Sequence, residues 1–344
     1  MNVVSSPHLP VRTSVGGIMV RMLAALIPGL VVYVLLFGPG VLLNIALCAG
    51  ACVATEALWL RARGRRPAAQ LRDNTALVTG VLLALALPPL TPWWIPVLGG
   101  VCAIVLGKQI YGGLGSNPFN PAMLGYVVLL VSCPLQLSLW PAMTPLWSDP
   151  QAALSQLAIA FSGDWVAHMD AVSGATALDA VRTGLADGRA IGEIAAGGVS
   201  GAFAQGHAWV ALAWAAGGAW LLARRLIAWQ IVVGVIAGTA LFALPFWAFD
   251  PSRFGSPLFH VLAGATLLGA CFIATDPVSA ATTPAGRVYY GLAIGALTVI
   301  IRTWGNYPDA IAFAVLLLNL CVPLIDQYTQ PRVYGQHKRP EDAP

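Results

Sequence analysis

Residues 170–184 read Asp-Ala-Val-Ser-Gly-Ala-Thr-Ala-Leu-Asp-Ala-Val-Arg-Thr-Gly. Thr176 is the residue of this stretch best suited to carry a bound group. Ser173, Gly174 and Ala175 before it are small, so its hydroxyl is unshielded and open to a bulky partner. Gly174 gives the backbone freedom to turn tightly there. Asp170 lies just upstream, and Asp179 follows three residues after the threonine. This spacing supports two compatible readings. The first is a helix start, with Thr176 as N-cap and Asp179 at the position that closes a capping box. The second is a phosphate on Thr176, because a helix start presents free N–H groups and partial positive charge to an anion. Short patterns match by accident, so the weight of the second reading depends on where the chain places this stretch.

The remainder of the chain reads as a membrane frame. Of 344 residues, 58% are hydrophobic and only 9% charged, against about 25% charged in soluble domains. That deficit indicates a polytopic integral membrane protein, with the lipid bilayer as its surroundings. The net charge of +4 is small and scattered, and implies no nucleic-acid partner. The first apolar run starts near Ile18 and is long enough to span, so it is expected to be a retained helix and not a cleaved leader. The six cysteines, Cys48, Cys52, Cys102, Cys133, Cys271 and Cys321, all fall in apolar runs without a C-x-x-C pair. They read as packing residues, so neither an iron–sulfur cluster nor another metal site is expected. No Rossmann fingerprint or P-loop stands at a strand–helix junction.

A bilayer core takes about 20 apolar residues per helix. By that measure the fold is all-α, with about ten spans near 18–37, 40–60, 75–91, 93–111, 120–139, 207–223, 228–249, 258–276, 288–304 and 308–325. The chain then divides into a first membrane half (1–140), a loop (141–206), a second half (207–328) and a tail (329–344). With the N-terminus cytoplasmic, fourteen of the eighteen Lys and Arg residues fall inside, and only Arg182, Arg189, Arg253 and Arg302 fall outside. The positive-inside rule prefers that orientation. Trp93, Trp94, Trp140, Trp147, Trp247 and Trp304 then lie near the outer ends, as an interfacial belt would. Five spans precede the 141–206 loop, so Thr176 is expected outside the cytoplasm. The apolar stretch Leu154 to Phe161 in that loop is expected on the membrane surface.

The two halves echo each other. Thr75-Ala-Leu-Val-Thr-Gly80, a break at Pro88-Pro89 and Gly115-Ser-Asn117-Pro-Phe-Asn120-Pro121 have weak ordered counterparts. These are Thr266-Leu-Leu-Gly-Ala270, a break at Thr275-Asp276-Pro277 and Gly305-Asn306-Tyr-Pro308-Asp309. Five spans per half make the second copy an inverted repeat, whose broken helices would place a polar site near the midplane. Asn117, Asn120, Thr275 and Asp276 are the candidates for lining that site. Glu56, Lys108, Arg302 and Asp309 are further polar groups at membrane depth. Lys108 and Arg302 are expected to snorkel to the interface. His260 is expected to be a packing residue.

These residues carry a family resemblance over nearly the whole chain. The chain resembles the RnfD components of the Rnf ion-translocating electron-transport complexes. It is related to the NqrB components of the Na+-translocating NADH:quinone reductase, and the two make up the RnfD/NqrB family. The matching pieces include Ser6-Pro7-His8, Leu87-Pro88-Pro89 with Pro92-Trp93-Trp94, and Gly112 through Tyr126. Others are Ser173-Gly174-Ala175-Thr176, Phe272 through Val278, Pro308 through Val315, and Pro323-Leu-Ile-Asp326. Together they are specific, although no single piece is.

The resemblance implies that Thr176 carries FMN through a phosphoester, made from FAD outside the cytoplasm by a flavin transferase. Asp170, Ser173, Gly174 and Ala175 would be its recognition context. Ala171 stands where glycine is common and Ala177 where proline is common, and neither change removes the acceptor hydroxyl. The implied function is that of a membrane flavoprotein within an ion-translocating oxidoreductase, in the bacterial inner membrane. It would work with the other subunits of an Rnf complex, which deal with ferredoxin and NAD, in electron transfer coupled to Na+ or H+. Related chains also hold a non-covalent riboflavin. From the residues alone, an inverted-repeat solute channel or transporter without a redox role is the alternative. The charge pattern predicts that a reporter fused after Gly163 is active in the periplasm and one after Arg66 in the cytoplasm. The opposite pair of activities would overturn the assigned orientation.

Overall fold

The computed structural model describes residues 14–331, apart from 163, 164, 166, 167, 169–171, 195–197, 306, 308 and 309. Asp170, Ala171, Asn306, Pro308 and Asp309, with the segment 332–344, therefore lie outside the described residues. Among the described residues the regular structure is helical, and the one β-bridge joins Pro141 to Ser173.

The first half contributes α1 (Val15–Phe37), α2 (Gly40–Ala62), α3 (Thr75–Ala86), α4 (Trp94–Ile104) and α5 (Pro121–Ser132). The loop contributes α6 (Pro150–Ile159) and α7 (Ala177–Ala186). The second half contributes α8 (His207–Ala223), α9 (Trp229–Phe249), α10 (Pro257–Leu262), α11 (Thr266–Leu268), α12 (Pro284–Trp304) and α13 (Ile311–Tyr328). Of these, α1, α2, α9, α12 and α13 are long and apolar enough to cross a bilayer, and four shorter apolar helices accompany them. The chain is a multi-pass helical membrane protein. The expected span 75–91 is cut to α3 because Pro88 and Pro89 hold the preceding backbone extended. The expected span 258–276 is two pieces, parted where Gly264 takes φ 68 between α10 and α11. In both halves a five-residue π-helical run extends a short helix, Val105–Gln109 after α4 and Gly269–Ile273 after α11.

Packing repeats between the halves. Helix α2 packs on α3 and α4, and α4 on α5; α9 packs on α10 and α12, and α12 on α13; α1 packs on α8. Small residues allow these close crossings, as lipid-embedded bundles require. A Cβ on Gly217 of α8 would collide with the Ala25 carbonyl oxygen of α1. One on Gly238 of α9 would collide with the Leu292 carbonyl oxygen of α12, and one on Gly80 of α3 would lie 2.5 Å from Cα of Ala49 on α2.

Helix breaks expose backbone groups that hydrocarbon cannot satisfy. Asn44 of α2 donates to the Pro88 carbonyl at 2.8 Å, and Trp165 of the loop donates its Nε1–H to Leu90 at 2.6 Å. In the second half the His260 carbonyl accepts from Thr266 Oγ1 at 2.9 Å and Arg302 Nη1 at 2.7 Å. Arg302 is thus buried and bonded instead of snorkelling.

The 141–206 loop is docked on both halves. Ile159, Trp165 and Leu90 are buried together, and Trp93 N–H bonds the Ala160 carbonyl at 3.0 Å. The end of the apolar stretch 154–161 therefore faces protein, with Phe161 exposed. Leu178 and Val181 of α7 pack with Phe259, Leu262 and Leu267 of the second half.

Candidate functional site

Thr176 is the N-cap of α7, with extended backbone (φ −66, ψ 162), and its Oγ1 accepts from Asp179 N–H at 3.2 Å. The same hydroxyl donates to the Asp179 carboxylate at 2.9 Å. The helix start expected from the sequence is therefore formed. Ala175 is exposed and Thr176 half-buried, so small neighbours leave the hydroxyl accessible. The role of Gly174 differs from the expected tight turn. Its φ is not positive. Instead, Gly174 N–H bonds the Trp140 carbonyl at 2.8 Å, Ala142 N–H bonds the Val172 carbonyl at 3.0 Å, and a Cβ on Gly174 would stand 2.9 Å from that of Ala142. The missing side chain lets Ser173-Gly174 pair with the end of the first half, which anchors the segment leading to Thr176.

Thr176, Asp179 and Arg182, at successive turns of α7, line a cavity of about 370 Å3. Its other walls are mainly apolar and aromatic, and include Tyr33, Tyr126, Trp140, Trp214 and Tyr307. A site of this size and lining suits a flat, largely apolar ring system with a few polar anchors.

A second cavity, of about 200 Å3, gathers Asn117, Asn120, Thr275 and Asp276, the four residues singled out at the paired breaks. It meets the start of α1 (Val15 to Met22), the start of α3 and the end of α8. The Thr176 cavity meets the end of α1 (Tyr33), the end of α3 (Leu85, Ala86) and the start of α8 (His207). The cavities thus occupy opposite ends of the bundle, and the equivalent helices α1 and α8 run in opposite directions. The break residues line the cavity that also meets the starts of α1 and α3. Asp276 accepts from Ser279 Oγ at 2.8 Å, and Thr275 Oγ1 donates to the Cys271 carbonyl at 2.8 Å. Asn117 donates to the Phe119 carbonyl at 2.9 Å, while its buried Oδ1 has no hydrogen-bond partner among the described residues.

Lys108 also lines this second cavity and does not snorkel. It is 2% exposed, pairs with Glu56 at 2.6 Å and donates to Thr75 Oγ1 at 2.7 Å. Gln109 donates to the same Glu56 oxygen at 2.8 Å. In an apolar wall an unpaired charge would be far costlier than this pair.

Asn120 stands between the cavities. Its Oδ1 caps α5 by accepting from Ala122 N–H (3.0 Å) and Met123 N–H (3.3 Å), and its Nδ2 donates to the Ile273 carbonyl (3.3 Å). The Asn319 side chain of α13 is oriented so that its oxygen accepts from Asn120 N–H at 3.0 Å and its nitrogen donates to the Tyr290 hydroxyl at 2.6 Å. Asn44, Arg182, Tyr290 and Asn319 escaped the sequence reading. The signal for Asn44 and Asn319 was present, a single asparagine in each of two long apolar helices. For Arg182 it was the two-turn spacing from Thr176.

Fold and site together define a multi-pass membrane protein that presents an accessible threonine hydroxyl to a ring-sized cavity. The chain belongs to the family described as NQR2, RnfD, RnfE, which matches residues 2–335. It is 46% identical over 343 residues to the D subunit of the ion-translocating oxidoreductase complex of Vibrio cholerae, covering 97% of this chain and 99% of that protein. The proteins of the same name from Alcanivorax borkumensis and Escherichia fergusonii are 48% identical over 338 residues and 45% over 350. Those alignments cover 97% and 98% of this chain and 96% and 99% of the relatives.

The buried pair predicts a specific stability pattern. Lys108→Met leaves Glu56 charged and uncompensated, and should cost about 3–5 kcal/mol. Adding Glu56→Gln should recover most of that loss. Thermal unfolding in detergent checks both variants, and an unchanged midpoint for Lys108→Met would show that the pair contributes little.

Proposed function

We propose that the chain is the D subunit of an ion-translocating oxidoreductase complex, and that it carries FMN as a phosphoester on Thr176. The observation that carries this reading is the position of the Thr176 hydroxyl. It sits in a Ser-Gly-Ala-Thr segment, at a helix start, on the wall of an apolar aromatic cavity. Three features of this chain fit the group. Tyr, Trp and Leu side chains would cover a flavin ring, Thr176 would hold its phosphate, and Arg182 on the same wall would offset the phosphate charge. Bound there, a flavin supplies one- and two-electron redox chemistry, and the protein sets its exposure and potential.

The second cavity suits the non-covalent riboflavin that the resemblance implies. It offers Asn117 Oδ1, without a partner among the described residues, and the side chains of Asn120, Thr275 and Asp276. In this reading a flavin transferase matures the chain outside the cytoplasm, Thr176 lies on the periplasmic side of the inner membrane, and both termini are cytoplasmic. Reactions with ferredoxin and NAD belong to the other subunits, and electron flow is coupled to Na+ or H+. The transporter reading gains less support, since Asn120, Ile273 and their bonds lie between the two cavities.

Thr176→Ala should abolish in-gel flavin fluorescence of the denatured chain while leaving membrane insertion intact. Undiminished fluorescence would show that another residue is the acceptor. Asp276→Asn should lower ion-coupled electron transfer by vesicles containing the assembled complex, with covalent fluorescence retained because the two cavities are separate. Normal coupled transfer in that variant would reduce the second-half break to a kink.

A further inference from the structure

Thr176 bonds both the backbone and the side chain of Asp179. Its oxygen has two lone pairs and one proton. One lone pair accepts from Asp179 N–H at 3.2 Å, and the proton is directed to the Asp179 carboxylate at 2.9 Å. The remaining lone pair is free to face the cavity that Thr176 lines. A hydroxyl held against a carboxylate, with a lone pair toward an open site, is the arrangement of an activated nucleophile. Arg182, exposed on the same cavity wall, is available to offset charge on phosphoryl oxygens bound there.

We propose that Asp179 is the general base for the modification of its own neighbour, so that the acceptor substrate carries part of the catalytic machinery for its flavin attachment. This inference rests on the reading of Thr176 as the FMN acceptor. The step balances without an oxidant or reductant. Thr176 Oγ attacks the phosphorus on the FMN side of FAD, and a new Oγ–P bond forms. The P–O bond that links the two phosphates breaks, and AMP leaves with its electron pair. The Thr176 proton passes to the Asp179 carboxylate. The flavin transferase would then hold FAD and stabilise the leaving group, while the acceptor chain removes the proton. A side chain that only capped the helix would not be needed for this step, because the capping bond to Thr176 comes from the backbone N–H of residue 179.

The test uses the full-length chain, purified in detergent from cells without a flavin transferase, then incubated with the transferase and FAD. The readout is the initial rate of fluorescence appearing on the denatured chain. Asp179→Asn keeps the shape and the backbone cap but cannot take the proton, so its rate should fall about 100-fold, the typical size of a general-base contribution. Asp179→Glu restores a carboxylate within reach and should regain much of the rate. Intact folding of each variant is checked by gel filtration and tryptophan fluorescence. A rate for folded Asp179→Asn within roughly tenfold of the unsubstituted chain overturns the proposal. If the unsubstituted chain takes up no flavin at all, the acceptor reading itself falls and this inference falls with it. If it labels normally and Asp179→Asn labels as fast, only the role of Asp179 is lost.

Discussion

Hydrocarbon offers no hydrogen bonds, so a helix that breaks inside an apolar bundle must find partners for its freed backbone groups. The second half of this protein breaks at the end of Gly269–Ile273, where the Ile273 carbonyl accepts from Asp276 N–H at 3.3 Å and from Asn120 Nδ2 of the first half at 3.3 Å. Asn120 uses all of its polar atoms at this point. It caps α5, holds Ile273, and gives its N–H to Asn319. One residue therefore ties an interrupted helix of each repeat to the last helix of the chain. Each bond is worth only about 1 kcal/mol net. The cost of leaving these groups bare in lipid is larger, and this makes the arrangement obligatory. An apolar residue at position 120 would leave the α5 start unsatisfied and would cut the link between the halves at Ile273, whose carbonyl would keep only the Asp276 N–H.

That brace also sets the relation between the two cavities. Both border it, one through Met123 and Ile273 and the other through Ala122 and Phe272. The bundle thus has a packed layer between two chambers of different character. The chamber at the Thr176 end is rich in aromatic residues and bordered by the docked loop. The other is lined by Lys108 of the buried ion pair and by Asn117, whose amide oxygen has no partner among the described residues.

Much of this organisation could be read from the sequence, for identifiable reasons. Span positions followed from hydrophobicity, because lipid imposes length and composition directly. The α7 start at Thr176 followed from local capping chemistry, which acts within four residues. What could not be read depends on partners distant in the chain. Lys108 resembles a snorkelling lysine until α2 is packed against the end of α4 and brings Glu56 to it. Arg302 resembles one until the α10–α11 break exposes the His260 carbonyl. Gly174 reads as a turn residue because the Trp140–Ala142 segment that passes beside it is not adjacent in sequence. The apolar stretch of the loop reads as a membrane-surface segment, since nothing local reveals that the Ala160 carbonyl meets Trp93 N–H or that Trp165 bonds Leu90.

The central claim is that the accessible hydroxyl at the α7 start is the point at which this chain holds its cofactor. Peptide mass spectrometry of the chain purified from its native membrane tests it most directly. The account predicts that the peptide containing Thr176 is heavier by one FMN less one water, with fragmentation placing the added mass on Thr176. An unmodified Thr176 peptide from fluorescent, fully assembled complex, or the added mass on a different residue, would contradict it.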